Sequence, residues 1–171
     1  MAAVANVDRS RVYFAGHDNG GYMAYRLACD HSHKIAAIAV LGGATFYNSG
    51  DCHAASGVSI LHIHGTADGS TLYEGGSGPT GAQYPSVSST LSSWTTINGC
   101  EAGSFQNYAA SFSLDKSVDG DETTPYSATG PAGGDVTFWV MQDVGHLPSL
   151  EGDFSQRVVT YLLSQTNQSS Q

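Results

Sequence analysis

Basic residues are scarce in this 171-residue chain, which has six lysines and arginines against 15 aspartates and glutamates and a formal charge of −9. No segment concentrates the few basic side chains, so we expect neither a nucleic-acid partner nor attachment to an anionic membrane. Apolar runs long enough to span a bilayer are also missing. Charged residues make up only 12% of the chain. This composition favours a secreted protein, although residues 1–6 lack the features of a signal peptide.

Patterns that bind metals are lacking too. The three cysteines do not have the spacing of a metal site, and the acidic cluster at residues 115–122 matches no calcium-binding loop. We therefore predict no metal and no cofactor, and we interpret the acidic cluster as a solvated surface. Cys29 and Cys52 flank the same predicted strand and are the first choice for a disulfide, while three unpaired thiols remain the alternative.

What the sequence does contain is an alternation of apolar runs and amphipathic segments. Strands are predicted at residues 11–15, 35–41, 58–64 and 136–141, and helices at 21–29, 85–97 and 154–165. Because the strands lack polar alternation and helices separate them, we predict an α/β fold with a parallel sheet and helices on both faces. Residues 99–134 are polar and glycine-rich, and we interpret them as a surface excursion with a short hairpin at 110–114. A single domain is expected at residues 1–165, with a disordered tail at 166–171.

The first predicted helix follows the turn Gly16-His17-Asp18-Asn19-Gly20-Gly21. Strand, glycine turn and helix in this order match the nucleophile elbow, G-x-S-x-G, of α/β-hydrolases, with Asp18 where the serine would stand. Gly16 and Gly20 fit that interpretation, since a Cβ at either position is expected to collide with neighbouring backbone. A glycine turn that only joins a strand to a helix is the structural alternative.

Two further residues complete a constellation with Asp18. Asp68 lies on a turn after the strand at 58–64, and His146 lies on the loop after the strand at 136–141. Nucleophile position, acid and histidine follow each other in the chain order of α/β-hydrolases. In such a triad Asp68 fixes the tautomer of His146, and His146 acts as the general base. The N–H of Asn19 is the expected oxyanion-hole donor, and His17 either lines a substrate pocket or caps the turn.

Matching blocks run through nearly the whole chain: residues 7–17, 19–29, 36–39, 62–68, 73–76 and 98–100, with Trp94 and the Gly145-His146 pair. Together they resemble secreted polyhydroxybutyrate depolymerases and feruloyl or acetylxylan esterases. The resemblance implies a hydrolase acting on small or polymeric carboxylic esters. It also implies that Asp18 occupies the nucleophile position, Asp68 that of the acid and His146 that of the base.

This chain departs from the family in three ways. Serine is replaced by Asp18, and the cysteine that usually follows the Asn-Gly-Cys motif is missing, which leaves Cys100 without an expected partner. Only 17 residues precede Asp18, so the resemblance implies an N-terminally truncated domain, the C-terminal part of an α/β-hydrolase fold. The strand at 11–15 then lies at an exposed edge, and we expect a homo-oligomer or a rearranged segment to cover it.

Three functions remain open because of the aspartate. The chain is a carboxylic-ester hydrolase with an altered nucleophile and weak activity, or a pseudoenzyme that binds a ligand without turnover. The third is a hydrolase that uses Asp18 as a nucleophile toward halides or epoxides. A carboxylate is a poor nucleophile toward an ester carbonyl, but it suits displacement at saturated carbon.

Overall fold

A computed structural model of the chain describes residues 6–55, 57–101, 103–130 and 134–167. Within these ranges the strands are β1 (Tyr13–His17), β2 (Ala37–Leu41), β3 (Ser59–Gly65), β4 (Gly76–Ser77), β5 (Gln83–Tyr84), β6 (Gln106–Asn107), β7 (Thr123–Ala128) and β8 (Val136–Met141). The α-helices are α1 (Asn19–Asp30), α2 (Val87–Ile97) and α3 (Phe154–Ser164), and short 3₁₀ turns occur at Ser32–Lys34 and Ser49–Asp51. None of the helices in the described ranges is long and apolar enough to cross a membrane.

Six of the strands form one sheet in the order β1-β2-β3-β8-β7-β6. The first four are parallel to each other, while β7 and β6 are added in antiparallel orientation at one side. The predicted α/β class with a mainly parallel sheet is therefore confirmed. The four predicted strands and three predicted helices are all present, because long apolar runs and helical periodicity are the strongest signals in a sequence.

Helices cover both faces of the sheet. Apolar residues of α1 and α2 pack with Ile38, Val40 and Ile60 on one face, and α3 packs with Ala37 and Ala39 on the other. Successive residues of β2 thus point into opposite cores, as the period-2 geometry of a strand requires. All seven residues of β3 are buried, so this strand lies at the centre of the molecule.

The segment at residues 99–134 is more structured than the sequence predicts. It contributes β6 and β7 to the sheet, and Phe112 pairs with Thr123 of β7 instead of forming a hairpin within 110–114. Pro125 lies inside β7 and pairs with Trp139, and proline inside a run argues against a strand when only the sequence is known. Pairing with β8 overrides that local signal.

The acidic cluster in the same segment is only partly a solvated surface, which corrects the prediction. Asp115 and Glu122 are buried, whereas Asp119 and Asp121 are exposed. Glu122 Oε1 accepts hydrogen bonds from the backbone N–H of residues 114 and 115 and from the hydroxyl of Thr123. The buried Glu122 carboxylate thereby satisfies backbone N–H groups of the loop at residues 114 and 115.

A disulfide joins Cys29 to Cys52, as predicted, and Cys100 is a free thiol. Burial raises the pKa of the Cys100 thiol. Asn167, inside the predicted tail, is buried, and its side-chain amide donates to the carbonyls of Ser32 and Ile35. Residues 168–171, the rest of the predicted tail, lie outside the described residues.

Strand β1 is an edge strand in the described part of the chain, with β2 on one side only. The backbone of Val12 and Asp18 bonds toward β2, so the alternate residues, including Ala15, direct their N–H and C=O groups outward. Phe14 is 37% exposed and Ala15 is also exposed. An apolar edge with unpaired backbone groups is a template for another strand.

We therefore expect self-association through β1, with the Ala15→Pro variant shifted toward the monomer because proline removes an outward N–H. Ala15→Val is the matched control, since it keeps that N–H and strand propensity. Light scattering coupled to size-exclusion chromatography measures the mass. A monomeric parent chain at high concentration would contradict the expectation.

Candidate active site

Asp18 occupies a sharp turn between β1 and α1. Its φ angle of 52° is in the left-handed region, which few non-glycine residues adopt. Its carbonyl accepts from the N–H groups of Gly21 and Tyr22, but its carboxylate makes no capping bond to the helix. The side chain is 46% exposed. The turn therefore presents the carboxylate to a cavity instead of using it to cap the N-terminus of α1.

Of the two glycines that the motif predicts to be required, the structure requires Gly16 but not Gly20, and it also requires Gly21, which continues the glycine turn into the helix. A Cβ on Gly16 would collide with the Gly20 carbonyl group, and one on Gly21 would lie 2.6 Å from Val40 Cγ1. A Cβ on Gly20 would meet no atom within 4 Å. Glycine is therefore required at positions 16 and 21, because neighbouring atoms lie too close to admit a Cβ. The prediction that a Cβ on Gly20 would collide with neighbouring backbone was wrong.

Asp68 and His146 meet across two neighbouring parallel strands. Asp68 follows β3, His146 follows β8, and the Asp68 Oδ2 to His146 Nδ1 distance is 2.8 Å. The two loops pack closely because Gly65 has no Cβ, which would otherwise collide with the Val144 carbonyl. The N–H of Ala67 also donates to that carbonyl. Backbone contacts between the two loops thus hold the Asp68 and His146 side chains within hydrogen-bond distance of each other.

The Asp68 carboxylate is buried, with 1% of its side chain exposed, yet it has several hydrogen-bond donors. Oδ1 accepts from the backbone N–H groups of Ser70 and Thr71, both at 2.8 Å. Burial alone would raise the pKa of this carboxyl, but hydrogen bonds from His64, His146 and the two N–H groups lower it below its ordinary value. Asp68 is therefore an ionised acceptor at neutral pH.

His146 faces Asp18 with its other ring nitrogen. The distance from His146 Nε2 to Asp18 Oδ1 is 3.8 Å, which is too long for a direct hydrogen bond but within ion-pair range. Asp18, Asp68 and His146 thus lie together at the carboxyl ends of β1, β3 and β8. This edge of a parallel sheet is where α/β proteins place their ligand sites.

Asn19 and His17 lie on either side of Asp18 in the chain and face different surroundings. Asn19 is the first residue of α1, where N–H groups have no intrahelical acceptor, and it lines the same cavity as Asp18. His17 Nε2 donates to the His146 carbonyl at 2.9 Å. His17 instead lines a separate apolar cleft of about 390 Å³ next to α3.

A cavity of about 690 Å³ opens beside Asp18. Its walls come from the start of α1, the loop after β2, the turn after Asp68 and the β4–β5 hairpin, and its aromatic lining consists of Tyr22, Tyr25, Phe46, Tyr47 and Tyr84. Such a lining suits a ligand with an apolar or aromatic portion. Among the residues that the structure describes, no group of three or more His, Cys, Asp or Glu is placed to hold a metal ion.

No known protein-family profile matches this chain. It is 30% identical over 114 residues to feruloyl esterase B of Piromyces equi, covering 63% of this chain and 21% of that protein. It is 36% identical over 69 residues to the bifunctional acetylxylan esterase/xylanase XynS20E of Neocallimastix patriciarum, covering 40% and 10%. It is 36% identical over 63 residues to feruloyl esterase D of Neurospora crassa, covering 37% and 21%.

The chain thus matches about a fifth or less of the length of these relatives. Partial matches of this kind indicate an esterase-like relationship and nothing finer.

Gly42, the first residue after β2, is a site residue that the sequence did not suggest. It has a φ of 56°, and a Cβ there would lie 3.2 Å from Asp68 Oδ2 and 3.3 Å from His146 Nδ1. The glycine therefore makes room for the contact between the two side chains. The sequence signal for this position is a glycine directly after a predicted strand. Only the fold shows that this glycine faces Asp68 and His146.

We expect Gly42→Ala to lower the free energy of unfolding by about 1–2 kcal/mol, the cost of an L side chain in the left-handed region, and to displace His146. Urea unfolding measures the first effect and the NMR resonances of the His146 ring the second. Gly50→Ala is the control, because its Cβ meets no atom within 4 Å. Equal stability of the two variants with unchanged His146 resonances would refute the role of Gly42.

Proposed function

We propose that this chain carries the catalytic centre of a carboxylic-ester hydrolase with an α/β-hydrolase domain at residues 1–165. In this proposal Asp18 stands at the nucleophile position, Asp68 is the acid and His146 is the general base. The observation that supports it most is the 2.8 Å contact of Asp68 with His146, whose opposite nitrogen faces Asp18. The partial similarity to feruloyl and acetylxylan esterases adds independent support.

The roles follow from the hydrogen-bond geometry. An ionised Asp68 can only accept, so His146 donates to it from Nδ1, and in the neutral form of the ring Nε2 has a free lone pair. That lone pair faces the side chain at position 18 and would remove the proton of a hydroxyl there. An ionised aspartate has no such proton, and its attack on an ester would give a mixed anhydride. Ester turnover by the unaltered chain is therefore expected to be weak.

The proposed substrates are aryl, acetyl or polymeric carboxylic esters. The aromatic cavity beside Asp18 would take the acyl or alcohol portion, and the N–H of Asn19 would donate to the developing oxyanion. We further propose that the protein is secreted, because the Cys29–Cys52 disulfide requires an oxidising compartment.

Asp18→Ser tests the proposal directly. A serine hydroxyl at this position has a general base beside it, so we expect hydrolysis of p-nitrophenyl acetate at least about 10²-fold faster than with Asp18→Ala, the matched control. Adding His146→Ala to Asp18→Ser should abolish that gain. If a folded Asp18→Ser variant shows no hydrolysis, the esterase proposal fails, and measurable ligand binding would then favour the pseudoenzyme.

A carboxylate nucleophile is the second candidate, favoured by the exposed Asp18 carboxylate beside His146. One carboxylate oxygen would attack a saturated carbon, the halide would leave with the electrons of its bond, and an alkyl ester of Asp18 would form. His146 would then activate the water that hydrolyses this ester.

The test of this candidate is a His146→Phe variant incubated with 1-bromobutane, since loss of the base should trap the adduct. Mass spectrometry of the peptide that contains Asp18 should show one added butyl group, and Asp18→Asn with His146→Phe should show none. An unmodified peptide in the first variant would exclude this chemistry.

A further inference from the structure

Three polar side chains form a buried row behind Asp68. Tyr25 of α1 and His62 and His64 of β3 are all fully buried, which is unusual for these residue types. The Tyr25 hydroxyl is 2.8 Å from His62 Nδ1, and His62 Nε2 is 3.2 Å from His64 Nδ1. The proposed reaction gives no chemical step to any of them, and Tyr25 enters it only as part of the cavity wall. Their presence in a core otherwise filled by apolar side chains needs a reason.

The hydrogen bonds of this row run in one direction. His64 Nε2 lies 2.8 Å from the carbonyl of Thr71, which can only accept, so His64 carries its proton on Nε2. In the neutral ring, His64 Nδ1 is then an acceptor, His62 donates to it from Nε2, and Tyr25 donates to His62 Nδ1. Burial, together with the adjacent His64, lowers the pKa of His62 well below its ordinary value, which keeps that ring neutral.

The proton on His64 also faces the carboxylate. His64 Nε2 is 3.4 Å from Asp68 Oδ2, the oxygen that contacts His146. The Thr71 backbone provides a second connection, because the Thr71 carbonyl accepts from His64 and the Thr71 N–H, in the preceding peptide group, donates to Asp68 Oδ1 at 2.8 Å. One histidine therefore acts on both oxygens of the carboxylate, directly on Oδ2 and through Thr71 on Oδ1.

We propose that His64 is a positioning residue that holds Asp68 ionised and correctly oriented toward His146, and that the Thr71 carbonyl fixes the tautomer in which it does so. Its catalytic value rests on the proposed function, but its effect on Asp68 does not. Water cannot replace His64 as a donor, because both side chains are 1% exposed. The titratable groups that face His64 are Asp68, His62 and Tyr73. The Tyr73 ring lies edge-on to the His64 ring, with 5.7 Å between the ring centroids.

The test is the titration of the Asp68 Cγ resonance in the 13C NMR spectrum of the whole chain. In His64→Leu the carboxylate loses a donor, so its titration midpoint should rise by about one to two pH units, the value of a hydrogen bond to a charged group. His64→Gln keeps an amide donor and should restore most of the difference. His62→Gln, an equally buried change without contact to Asp68, should leave the midpoint unchanged.

Two results would overturn the proposal. One is an unchanged Asp68 midpoint in a His64→Leu variant whose near-UV circular dichroism shows a native fold. The other is a His64 ring protonated on Nδ1 in long-range 1H–15N spectra of the unaltered chain, a measurement that needs no variant to fold. Neither readout requires turnover, so failure of the esterase proposal and failure of this one can be told apart.

Discussion

A buried carboxylate that must be kept ionised is the constraint on which the site depends. The Asp68 side chain is 1% exposed and accepts hydrogen bonds from the backbone N–H groups of Ser70 and Thr71, from His146 and from His64 behind it. Each donor compensates part of the cost of removing a charge from water. His146 can donate to Asp68 only if the loop after β8 lies close to the loop after β3. The missing side chains of Gly42 and Gly65 leave room for this approach, and the N–H of Ala67 bonds to the Val144 carbonyl across the two loops.

The parallel sheet explains why residues so far apart in the sequence meet. Position 18 follows β1, position 68 follows β3 and position 146 follows β8, and the carboxyl ends of these strands share one edge. The sequence was sufficient to predict this edge, because each of the three residues follows an apolar run and precedes or lies in a glycine turn. The α/β class could be predicted for the same reason.

The rest of the site could not be predicted, because it depends on contacts between distant segments. Gly42 matters only because side chains of other elements lie against it, whereas Gly20 fits the motif and faces open space. Strand β7 contains a proline and few β-branched residues, and only its pairing with β8 makes it a strand. His62 and His64 read as interior residues of a strand, but their direction of hydrogen bonding is set by a carbonyl of a later turn.

The disulfide has a consequence for how this protein should be produced. Cys29 lies in the last turn of the helix that begins beside Asp18, and Cys52 follows the loop that supplies one wall of the aromatic cavity. The bridge spans a sequence separation of 23 residues, and in the chain-entropy account such a bridge contributes about 3 kcal/mol. Material made in a reducing cytosol would lack the covalent tether of that wall. Ligand affinities measured on reduced and oxidised preparations therefore describe two different cavities.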